Sequence, residues 1–143
     1  MTPATPTPIP PKIDFVSDLA CPWCAIGLAA LLQAAGRLAG QVVLDWHFQP
    51  FELNPGMGPD GEDLFQHLAA KYGATPGQLR QTHEAIAARG AALGLVFSPQ
   101  RTRVYNTFDA HRLLHWLGEE GRGGLQLAFK QALFKSYFTA AEN

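Results

Sequence analysis

Cysteine is scarce in this chain: Cys21 and Cys24 are the only two among 143 residues, too few to build a disulfide scaffold. Neither sign of charge dominates. Eleven Lys and Arg against twelve Asp and Glu leave a formal net charge of −1, which gives no electrostatic basis for binding nucleic acid or an anionic membrane surface. No apolar run approaches the roughly 20 residues needed to cross a bilayer, and no internal repeat is visible. The first residues lack the basic and apolar regions of a secretory signal. With five prolines among the first eleven residues, 1–12 instead reads as a disordered Pro/Thr-rich tail. The expectation is a cytoplasmic protein without nucleic-acid or membrane partners. In that setting a Cys-x-x-Cys pair serves redox or metal chemistry more often than structural stapling. Hydrophobic residues make up 47% of the chain, enough for the core of one domain.

The pattern around the cysteines is informative. Ile13 to Ser17 alternates as a strand does, Asp18-Leu19-Ala20 interrupts it, and from Cys21 to about Ala39 an Ala- and Leu-rich stretch has helical character. Val42, Leu44, Trp46 and Phe48 alternate with more polar neighbours and predict a second strand. The order is β-α-β, with the two strands parallel and joined by a helical crossover. Beyond Gln49 the composition changes to a Pro- and Gly-dense loop. Helices are then predicted over 64–71, over 75–93 with a capping box opened by Thr75, Pro76 and Gln78, over 107–117, and over 125–138.

The two thiols therefore sit where a strand gives way to a helix. Unpaired N–H groups and the positive end of the helix dipole favour a thiolate there, and the thiolate is the species that attacks disulfides. Cys21, outermost, is expected to attack; Cys24, a turn further in, is expected to resolve the mixed disulfide. Pro22 suits an early helical position, and Pro22 and Trp23 would tune the redox poise. The spacing does not set the direction of electron flow.

Metal chemistry is weaker on this sequence. His111 and His115 share a helix face at ligand spacing, but residues 25–110 intervene between Cys24 and His111, far from compact zinc-site spacing. No metal and no cofactor are expected, and the two imidazoles read as a packed helix face. Trp46, Phe48 and Phe51 read as packing residues. Two parallel strands with one crossover helix leave open edges and an uncovered face. Phe15, Trp46 and Phe48 are thus expected to lack partners unless a homodimer or further chain supplies them.

Three separated motifs carry a resemblance. They are Cys21-Pro22-Trp23-Cys24 after Ile13-Asp-Phe-Val-Ser-Asp, Trp46-His-Phe-Gln-Pro-Phe-Glu-Leu-Asn-Pro55, and Tyr105-Asn-Thr-Phe-Asp-Ala-His-Arg-Leu-Leu-His115. In this order they resemble the FrnE-like branch of the DsbA family of thioredoxin-fold oxidoreductases. The resemblance implies an α/β fold: a thioredoxin-like β-α-β unit over 13–55 with an inserted all-helical domain from 56 onward. It implies thiol–disulfide exchange at Cys21 and Cys24 with protein or low-molecular-weight thiol and disulfide substrates. It also places Asn106 and His111 near the active-site groove, within reach of a substrate. Family members continue past the position of Asn143 into a cis-proline loop and the remaining strands. The chain accordingly reads as truncated, with the second half of the thioredoxin core missing and the helical domain incomplete.

Two other functions remain open at this point. A neighbouring branch, similar to 2-hydroxychromene-2-carboxylate isomerases and kappa-class glutathione transferases, would use Cys21 with glutathione; it usually has serine near that position. An inactive truncated binding module is the non-enzymatic reading.

Overall fold

The computed structural model describes residues 9–143, so most of the expected Pro/Thr-rich tail (1–8) lies outside the described residues. Lys12, assigned to that tail from sequence, instead opens the first strand. Strand β1 (Lys12–Ser17) leads through Asp18-Leu19-Ala20 into helix α1 (Pro22–Arg37) and then strand β2 (Asp45–Pro50). The strands pair in parallel, from Lys12 opposite Asp45 to Ser17 opposite Pro50. The β-α-β unit is as read from the sequence, but β2 begins at Asp45 rather than at Val42. Residues Gln41 and Val42 close turns onto Leu38 O (2.9 and 3.1 Å), which holds the preceding segment at the end of α1 and out of the sheet.

The second part of the chain is mostly helical. Strand β3 (Glu62–Asp63) precedes α2 (Leu64–Tyr72), α3 (Pro76–Ala91), strand β4 (Arg103–Val104), α4 (Phe108–Glu119) and α5 (Gly123–Phe134). The two-residue strands pair antiparallel and were not foreseen, being too short for periodicity to register. Gly61 makes their approach feasible. Its φ is +66°, and a Cβ there would fall 2.3 Å from Val104 O, so only glycine fits without a shift. The last predicted helix is not uniform: its final turn, Lys135–Thr139, is a π-helix, a local widening that positions Tyr137 and Phe138.

Helix α3 starts as its sequence dictates. Thr75 Oγ1 accepts the Gln78 N–H (3.3 Å), and Gln78 Oε1 accepts the Thr75 N–H (2.9 Å). Thr75→Ala should lower stability by about 1 kcal/mol in chemical denaturation, because one orphan donor of the first turn loses its acceptor.

The expectation that Phe15, Trp46 and Phe48 lack partners is overturned. Phe48 is buried; its ring meets Phe15 edge-on at 6.1 Å and stacks with Trp46 at 6.3 Å. Helices α4 and α5 both pack on β2. Leu19, Ala25, Leu28, Leu114, Phe134 and Phe138 complete one core that joins α1, the sheet and α4–α5. The amphipathic faces of α4 and α5 thus cover the sheet face that the sequence appeared to leave bare. The opposite face carries exposed Asp14, Val16 and Gln49, with Gln49 Nε2 donating to Asp14 Oδ1 at 3.0 Å. A smaller cluster of Met57, Leu64 and Val104, with Ala20 and Leu68 against it, anchors the loop after β2 beside the segment that precedes Cys21.

Candidate active site

Cys21 is the N-cap of α1, with extended backbone (φ −94°, ψ 112°), and Pro22 occupies the first helical position. Proline costs nothing there, because the first-turn N–H has no intrahelical acceptor. The Cys24 N–H donates to Cys21 O at 3.1 Å and the Ala25 N–H at 3.3 Å, closing the first turn. Both cysteines are free thiols of intermediate exposure. Trp23 between them is 54% exposed and stands at the surface of the site.

The two sulfurs are electrostatically unequal. The Cys24 thiol directed at Cys21 is the main influence lowering the Cys21 pKa to about 6; the Cys24 and Trp23 N–H groups add to it, against burial and the nearby Asp18 charge. These N–H groups face the sulfur without completing a capping hydrogen bond. Cys24 moves the other way. Its proton is held by Cys21 and by burial, and its pKa is raised well above that of an ordinary thiol. A reactive thiolate and a protonated neighbour result, the division of labour that disulfide exchange needs.

Behind the thiols lies a polar group set within the core. Asp18 is 2% exposed and accepts the Leu53 N–H at 2.8 Å and His111 Nε2–H at 3.2 Å. Burial raises its pKa, but hydrogen bonds from His111, Leu53 and Thr107 outweigh that and leave the carboxyl below its usual value. Asp18 therefore ties the strand-to-helix corner to both the loop after β2 and α4. Lys130 of α5 is 1% exposed. Its ammonium lies 6.0, 5.7 and 5.3 Å from the ring centroids of Phe15, Phe48 and Phe134.

The structure distributes the expected site residues unevenly. Cys21, Pro22, Trp23 and Cys24 lie together at the tip of α1. His111 is buried beneath them with its ring committed to Asp18. Asn106 borders a cleft of about 110 Å³ with Leu19, Ala20, Tyr105 and Tyr137. Its amide donates to Met57 O at 2.8 Å and accepts the Phe108 N–H at 2.9 Å, bracing the loop and the start of α4. His115 is exposed and lines a groove of about 970 Å³ with Phe51, Phe108 and Trp116. Among the described residues no three His, Cys, Asp or Glu side chains gather at metal-ligand spacing, and no helix is long and apolar enough to cross a membrane. Asp18 and Lys130 were missed from sequence. The available signals were a carboxylate three residues before Cys21 and the single charge within the otherwise neutral Gly123–Phe134.

A strand leading into a helix capped by a Cys-x-x-Cys pair, with a parallel second strand, defines a thioredoxin-like dithiol protein. Residues 12–143 match the DSBA-like thioredoxin domain family, and the chain belongs to it. The fold is similar to the crystal structure of a probable DsbA oxidoreductase from Streptomyces coelicolor, with a TM-score of 0.75 and 32% sequence identity. The similarity covers 92% of this chain and 54% of that one, so the chain spans about half the length of that protein. None of the curated proteins matches the chain.

Proposed function

We propose that the protein is a thiol–disulfide oxidoreductase of the FrnE-like branch of its family, in which Cys21 attacks and Cys24 resolves. The observation that carries this reading is the placement of both thiols in the first turn of α1, Cys21 as N-cap and Cys24 one turn inside it, an arrangement that pulls the Cys21 pKa down to about 6 and pushes that of Cys24 up. At pH 7 a pKa lowered this far favours the Cys21 thiolate, whereas an ordinary cysteine is only a few per cent ionised. Substrates are disulfides or thiols carried by proteins or small molecules. Exposed Trp23 and the cleft beside Leu19 and Ala20 flank the point of attack, and Asn106 shapes that cleft through its hold on the Met57 loop. A Cys21 pKa of this size lies between the values of about 3.5 and 7 seen in strongly oxidising and reducing Cys-x-x-Cys proteins. The reduction potential, rather than this pKa alone, sets the direction of net transfer.

Trapping is the test. Cys24→Ser should accumulate about one equivalent of covalent mixed disulfide per chain with a disulfide-bonded test peptide, seen by intact mass under non-reducing conditions. Cys21→Ser should accumulate none. Turnover that survives Cys24→Ser and depends on glutathione would replace this reading with the isomerase or transferase one.

A further inference from the structure

The helical part of the chain holds a cavity that the dithiol does not use. It measures about 280 Å³, lies between α2, α3 and residues 97–101, and shares no lining residue with the thiol pair or with the cleft beside Leu19 and Ala20. Phe65 of α2, buried Ile86 of α3 and Phe97 supply apolar walls. These walls are fixed by their own packing. Phe97 sits so close to Gly90 that a Cβ there would fall 2.3 Å from its ring, and it meets Phe138 edge-on at 5.1 Å. Phe65 meets the His83 ring edge-on at 5.0 Å.

The same cavity is lined by Arg80, His83, Ser98 and Arg101, with Glu84 the single carboxylate among its lining residues. Neither guanidinium forms an ion pair among the described residues. Arg80 is exposed and can rest in water, but Arg101 is half-buried. It is also held in one place: Nη1 donates to Tyr137 Oη at 2.9 Å, and the guanidinium carbon lies 5.0 Å from the ring centroids of both Tyr137 and Phe138. Aromatic contact and a phenol orient this fork, with no counter-ion. Ser98 is set beside it by its N–H, which donates to Phe138 O at 2.8 Å. Its Oγ accepts the Gln100 N–H at 3.1 Å, which leaves the hydroxyl proton free to donate. Burial and the Arg101 charge together hold the His83 pKa below its usual value, and a neutral imidazole still offers one N–H.

We propose that this cavity binds a small monocarboxylate with a flat apolar body. The Arg101 fork takes the carboxylate, Ser98 and His83 offer further donors, and Arg80 adds positive charge at the rim. The apolar body lies against Phe65, Ile86 and Phe97. A guanidinium fork matches carboxylate and phosphate alike, so the walls decide between them. A phosphate carries oxygens on every side and would press some of them, stripped of water, against Phe65, Ile86 and Phe97. A carboxylate confines its oxygens to one end of the molecule. Glu84 acts in the same sense, because its charge opposes a dianion more strongly than a monoanion.

The experiment titrates the whole chain at pH 7 with 2-naphthoate, its uncharged counterpart 2-naphthamide, and inorganic phosphate, followed by calorimetry and by NMR of the histidine rings. Naphthoate should bind at least about tenfold more tightly than either of the other two, since a charge-assisted bidentate contact is present only with the carboxylate and the apolar contact is missing with phosphate. The His83 ring signals should shift as the site fills, with those of His47 and His115 unmoved. Arg101→Gln should weaken naphthoate binding by about tenfold or more. Arg101 also braces Tyr137, so a second variant leaves the packing alone: Glu84→Gln, at an exposed position, should tighten binding about two- to fivefold by removing a like charge. Naphthamide or phosphate binding as tightly as naphthoate overturns the inference. So does naphthoate binding that leaves the His83 signals in place, or an affinity unchanged in Glu84→Gln.

Discussion

Cys21→Ser should reduce the proposed disulfide exchange to the uncatalysed background, a loss of at least about a thousandfold, on the scale seen when a nucleophile is removed. Serine is almost the same shape, so α1 and its Pro22 start survive the change. What disappears is the anion. The groups that pull the Cys21 thiol down to about 6 cannot ionise a hydroxyl at neutral pH, and an uncharged oxygen does not attack a disulfide sulfur. Cys24 does not substitute for it, because it lies a turn inside the helix and burial still disfavours its thiolate after Cys21 is replaced. Insulin reduction or oxidative refolding of a reduced test protein reads the loss, and an unchanged melting temperature shows that it is chemical.

The largest effect on stability should come from Asp18→Ala, at about 3 kcal/mol, for the cost of leaving one buried and one partly buried donor without an acceptor. Leu53 N–H and His111 Nε2–H both lose their partner, and Lys130 loses a carboxylate that helps hold its proton. The effect has a defined pH dependence. Hydrogen bonding holds the folded Asp18 pKa below its ordinary value. Folding therefore favours the ionised form, and the stabilisation is full above the unfolded carboxyl pKa of about 3.9 and fades as pH falls through the lower folded value. Chemical denaturation should show a constant gap between wild type and Asp18→Ala from pH 7 down to about pH 4, narrowing below that.

Much of the redox face was legible before any coordinates. Alternation in Ile13–Ser17, the Pro22 start and the Ala-rich run place Cys21 at a helix tip because these are local signals, each decided by neighbouring residues. Helix α3 was equally plain, since Thr75, Pro76 and Gln78 spell out its cap. The β2 boundary was misjudged because Val42 and Leu44 continue an alternating pattern, while the turn closed on Leu38 takes that stretch out of the sheet. The cover over Phe48 was missed for a different reason. It comes from α4 and α5, sixty or more residues later in the chain, and periodicity within a helix does not name the surface it will meet. Asp18 and Lys130 escaped on the same ground. A loop carboxylate and a helical lysine look solvated in sequence, and only the convergence of α1, α4 and α5 on the end of β1 takes them out of water.

The pH dependence of Cys21 alkylation tests the central claim most directly. The reduced Cys24→Ser protein would mislead here, because Cys24 is itself the main group stabilising the Cys21 anion. The wild-type dithiol is therefore titrated with a limiting amount of iodoacetamide, and the modified residue is located by peptide mass. The account predicts modification at Cys21 with an inflection near pH 6. An inflection at the ordinary thiol value of about 8.5, or modification falling first on Cys24, would contradict it.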